Sequence, residues 1–213
     1  KAVQDLRASL RGVWGEVVSA WTNPIHRTAL IGDLPVILAL LLAASVLILQ
    51  GRDWVRRFGD MLRDKFGAGY GVWNFLVSLG KIFVPLIGVY LLSEALFASN
   101  LFGLRGSVLL SLLVPMAGLL LGFRWLADRM FPVVSYDEFL VLSDSIRGHM
   151  RRLITWLALI LVAETVLSTF AEFERYSAET EAVLLFPLIV LAAMMLFRMA
   201  RVILTAETSA TTT

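Results

Sequence analysis

The chain has 213 residues, 58% hydrophobic and 17% charged, with a mean hydropathy of +0.78. A soluble domain of this length is about half apolar and a quarter charged. The shift, together with long uncharged runs, predicts an all-α integral membrane protein with about five transmembrane helices plus amphipathic interfacial helices. A net charge of +2 points to no nucleic-acid partner, and the lack of cysteine excludes disulfides and thiolate metal sites.

The chain opens on Lys1 without a signal peptide, the expectation for a piece of something longer. Residues 1–23 space Val3, Leu6, Leu10, Val13, Trp14, Val17 and Trp21 by threes and fours, one apolar stripe on a helix ended by Asn23-Pro24. We assign 1–30 to an extracytoplasmic or interfacial amphipathic helix, and 31–204 to the membrane domain. A bilayer core of about 30 Å needs roughly 17 to 25 apolar residues as helix. The runs that meet this lie at about 33–50, 72–97, 106–123, 153–170 and 182–203.

After the first run, residues 51–66 carry Trp54, Phe58, Met61, Leu62 and Phe66 on one stripe. Arg52, Arg56, Arg57, Arg63 and Lys65 fill much of the rest. A basic amphipathic helix of this kind belongs among anionic headgroups, so Arg52, Trp54, Arg56, Arg57, Arg63 and Lys65 are candidate inner-surface lipid contacts.

The second run holds both Lys81 and Pro85. Two placements are open. A span starting at Val72 puts Lys81 roughly 14 Å deep at 1.5 Å per residue, where it wants an acid. Glu164 in the fourth run has a matching depth, making Lys81 and Glu164 a candidate intramembrane ion pair. A span starting near Lys81 instead lets the ammonium reach the surface, with Trp73 in the aromatic belt. Pro85 falls at the middle of the longer version, and Pro115 mid-way through the third run. Both are candidate helix kinks, whereas Pro35 and Pro187 read as first-turn prolines. Gly80, Gly88 and Gly118 permit close helix packing, and no tight small-xxx-small ladder stands out.

Residues 135–150 open on a capping-box pattern from Ser135 to Glu138. Phe139, Leu142, Ile146 and Met150 then share one face of a helix expected to lie flat and feed span four. Residues 205–213 form a polar tail to which the composition assigns no structure.

Basic residues set orientation. The segments after spans one and three, with Arg198 and Arg201 flanking the end of span five, hold twelve Lys and Arg, and the loops after spans two and four hold two. Lys1, Arg7, Arg11 and Arg27 add to the sparse side without reversing the contrast. The expected topology is N-terminus periplasmic, C-terminus cytoplasmic. His26 and His149 then fall on opposite sides, which removes a shared metal site. No nucleotide, zinc-protease or triad motif is present, so we expect no enzyme activity and no cofactor.

GFRWLADRMFP at 122–132 and ETEAVLLFPLIVLAAMMLFRMARVI at 179–203, with the helical segment before span one, resemble the amino-terminal membrane region of large bacterial small-conductance mechanosensitive channel-like proteins. The resemblance implies a location in the bacterial inner membrane and a homo-oligomer or larger membrane assembly. It also implies a share in ion transport as a peripheral sensor in contact with the lipid bilayer, with the channel core outside this chain. The alternative is a non-channel membrane scaffold or accessory subunit of a larger complex.

Overall fold

The computed structural model describes residues 12, 15, 18, 24–65, 70–99, 101–131 and 144–210. Five long helices follow in order: α1 Pro24–Lys65, α2 Tyr70–Ala98, α3 Leu104–Met130, α4 Asp144–Phe173 and α5 Ala178–Ala210. Among the described residues there is no strand, and each of the five helices is long and apolar enough to cross a membrane. Lipid offers the backbone no hydrogen-bond partners, so apolar runs of this length satisfy their amides internally as helix. The protein is an all-α membrane protein with five candidate spans.

The helices overrun the apolar runs. The basic segment after Gln50 is no separate helix: α1 continues unbroken to Lys65, 42 residues or about 63 Å of helix. Arg, Asp, Met and Leu are all tolerated in a helix, so charge marks a membrane edge without ending the element. Pro35 lies inside α1 and Pro187 inside α5; the first-turn proline is Pro24. The tail from Thr205 stays helical through Ala210. Ile146 and Met150 are the first turns of the same helix as span four. The stripe at 1–23 and the capping box at 135–138 lie outside the described residues.

The chain forms two compact units, up to Gly118 and from Leu119 onward. In the first, α1 and α2 are an antiparallel hairpin. Ser93 Oγ on α2 donates to the Leu110 carbonyl of α3 at 3.2 Å, which satisfies a buried hydroxyl. At the end of α2, Ser99 Oγ donates to the Leu96 carbonyl and accepts from the Leu101 amide.

In the second unit, Ala127, Phe131, Met150, Leu153 and Ile154 form a buried cluster, with Met195, Met199 and Val202 of α5 packed on it. Arg151 of α4 pairs with Asp128 of α3 beside it. The basic ends of three helices therefore meet at one level. The α4–α5 turn is a Schellman cap: Tyr176 N donates to Ala171 O at 2.9 Å and Arg175 N to Glu172 O at 3.2 Å. Arg175 takes the left-handed conformation, φ 52°, that such a cap requires. Ser177 then caps α5, its Oγ accepting the Thr180 amide, with Glu179 and Glu181 at the positive end of the helix dipole.

Candidate functional site

The densest feature of the first unit is a glycine ladder between α1 and α2. A methyl group on Gly51 would lie 2.5 Å from Val84 Cγ1, and one on Gly59 would lie 2.8 Å from both Val77 γ-carbons. In the other direction, Gly80 faces Val55 Cγ1 at 3.0 Å and Gly88 faces Ile48 Cγ1 at 2.8 Å. Each helix thus offers two glycines and receives two β-branched knobs from its neighbour. At Gly88 the approach is to backbone as well, with Ala44 O at 3.1 Å from the position a methyl would take. Small residues let membrane helices approach this closely, and packing rather than hydrophobicity then holds them. The ladder is not a small-xxx-small repeat, since Val55 and Val84 stand midway between the glycines of each helix. Its signal in the sequence is Gly51 with Gly59 and Gly80 with Gly88: the same eight-residue interval twice, split between two helices.

The ladder fixes register. Gly51 stands opposite Val84 and Val55 opposite Gly80, so Lys81 is level with Trp54 and Pro85 with Gln50. The apolar run of α1 ends at Gln50, and Arg52 and Asp53 follow. Lys81 therefore lies just beyond the apolar edge of its partner helix, where a four-carbon stem carries the ammonium to water. This register favours the shorter placement of span two. Pro85 moves with it, from mid-span to the edge. It has no N–H to give the Lys81 carbonyl four residues back. On the shorter placement, lysine and proline stand together at one boundary.

Lys81 belongs to the first unit and Glu164 to the second. Both are half-buried, and within its own unit neither has an oppositely charged partner among the described residues. Their pairing stays an expectation that the register makes unnecessary. Glu94 accepts a hydrogen bond from Tyr90, one turn earlier. Pro115 lies exposed within α3.

Of the candidate lipid contacts, Trp54, Arg56 and Arg57 are exposed and Arg52 is half-buried, while the side chains of Arg63 and Lys65 lie outside the described ones. Arg56 reaches Asp53 at 3.9 Å. On one side of the ladder an apolar groove of about 460 Å³ opens between the helices, lined by residues that include Leu47, Trp54, Phe58, Leu76 and Val84. Among the described residues no three His, Cys, Asp or Glu side chains converge as metal ligands. No protein family, curated protein or solved structure matches the chain.

Proposed function

We propose that this chain is the peripheral, lipid-facing sensor region of a mechanosensitive-type ion channel in a bacterial inner membrane, passing tension to a pore built by other residues. The observation that supports the reading most is the α1–α2 hairpin. Four close glycine contacts lock it internally, while much of its outer surface is large apolar side chains, including Ile31, Leu42, Phe83 and Ile87. A body that is stiff within and apolar without follows the bilayer rather than deforming in it. The basic ends meeting at Asp128 and Arg151 match the arrangement in which the amino terminus is periplasmic and the carboxyl terminus cytoplasmic.

Mechanically, tension thins the bilayer and favours a more tilted set of helices. A stimulus shifts a two-state equilibrium only by its differential interaction with the two states. Mismatch costs fractions of a kcal/mol per ångström, so five helices in each of several subunits sum to a useful bias where one helix does not. The test is survival of osmotic downshock by bacteria stripped of their own tension-gated channels. The full-length gene product should rescue them, and the version carrying Gly88→Leu should rescue them less. No rescue, with co-purification in another complex, identifies a scaffold instead.

A further inference from the structure

Gly51 stands opposite Val84. Ten residues on along α2 is Glu94, and ten back along α1 is Leu41, so the antiparallel register brings these two level. Leu41 is midway along the apolar run 33–50 of α1. Read along α2 by itself, Glu94 is close to the helix end at Ala98. Set against α1, it lies about 12 Å inside the level of Asp33 and about 16 Å inside that of Arg52, at 1.5 Å per residue. Its two-methylene stem reaches neither. The face that carries Glu94 is open. Gly80, Val84 and Gly88 turn toward α1 and Ser93 toward α3, whereas Phe83, Ile87, Tyr90, Glu94 and Phe97 are all exposed. Those five follow one another by four, three, four and three residues, the spacing of the seam along which two helices pack.

An acid at this depth is costly against acyl chains, and such residues face protein or a water-filled cavity and pair there. We infer that the Phe83–Phe97 stripe of α2 packs against the same stripe of a second copy of this chain, Glu94 meeting the partner's Glu94 inside the bilayer. Depth and spacing choose this occupant. Copies insert in one direction, so a two-fold contact about the membrane normal sets identical residues at identical depth. Glu94 then finds a polar group at its own level with no other residue required. The seam also matches itself: Phe83, Tyr90 and Phe97 recur every seven residues, giving aromatic layers that alternate with those of Ile87 and Glu94. Two carboxyl groups at close range out of water do not both ionise, and they share a proton. The hydrogen bond so formed is strengthened by the low dielectric around it. The Tyr90 hydroxyl, already bonded to Glu94 within its own helix, holds each carboxyl in place. The contact requires only that α1 and α2 cross a bilayer; tension plays no part in it.

The chain has no cysteine, so single introduced cysteines report contacts between copies. In membranes of bacteria expressing the full chain, a membrane-permeant oxidant should join Phe83→Cys and Ile87→Cys proteins into disulfide-linked dimers. Leu42→Cys, exposed on α1 at nearly the level of Glu94 but outside the stripe, should be joined several-fold less. Adding Glu94→Leu to Ile87→Cys should lower the dimer fraction several-fold, whereas adding Glu94→Gln, whose amides also pair, should keep it. Matching helical circular dichroism of the purified variants checks that each is folded. Equal cross-linking of Ile87→Cys and Leu42→Cys overturns the proposal, as does a dimer fraction that folded Glu94→Leu leaves unchanged. No dimer from either stripe position also overturns it and points to a different polypeptide over Glu94.

Discussion

Lys81 shows how one residue's meaning depends on a partner that the local sequence does not display. Read along its own helix, it is a charge inside an apolar run with a proline nearby. Set against α1 by the ladder, it is level with Trp54, just past the end of the apolar run of α1. Because the chain has no cysteine, Lys81→Cys gives a clean reporter. It should react with a membrane-impermeant thiol reagent as fast as Arg52→Cys, while Ile87→Cys should stay unreactive. A protected Lys81→Cys would revive the buried pair with Glu164. Arg175 is the other residue whose backbone sets an expectation. A non-glycine residue in the left-handed region costs about 1–2 kcal/mol, so Arg175→Gly should stabilise the α4–α5 turn by about 1 kcal/mol in denaturant titration. Loss of stability there would mean that the arginine side chain contributes more than its backbone costs.

At the scale of elements, five spans were legible because lipid forces long apolar runs to be helical. The positions of Pro35 and Pro187 and the end of α1 were not. A proline early in an apolar run looks like a helix start when the helix in fact begins turns earlier, outside the apolar run. Nor does a basic segment show whether a helix stops or continues, since either leaves the charges wet. The ladder escaped because its four glycines are shared between two helices, and only the antiparallel register brings them into line. Its energetic weight is testable. Gly88→Leu drives side-chain atoms at the Ala44 carbonyl and Ile48, and overpacking of this kind costs about 1–3 kcal/mol. Gly122→Leu, with nothing within 4 Å of the added carbon, should be near neutral in the same detergent unfolding assay. In the second unit, Met150 is 1% exposed within the cluster of α3, α4 and α5 residues. Met150→Ala should cost about 2 kcal/mol, the low end for such truncations, because lipid removes much of the hydrophobic share. Breaking the partly exposed Asp128–Arg151 pair should cost less, about 0.2–1 kcal/mol.

For the whole molecule, the account joins three physical features: a hairpin stiffened by close glycine packing, broad apolar surfaces toward lipid, and basic ends gathered at one level of the second unit. None of them is chemistry at a point, which is why single residues announced so little function in the sequence. Pressure-clamp recording from liposomes holding the full-length gene product, unmodified and with Gly88→Leu, tests the central claim most directly. The account predicts tension-activated current from the unmodified protein and a higher tension threshold when the ladder is forced apart. Current that is absent at every tension, or thresholds that coincide with the Gly88→Leu protein folded in the bilayer, would contradict it.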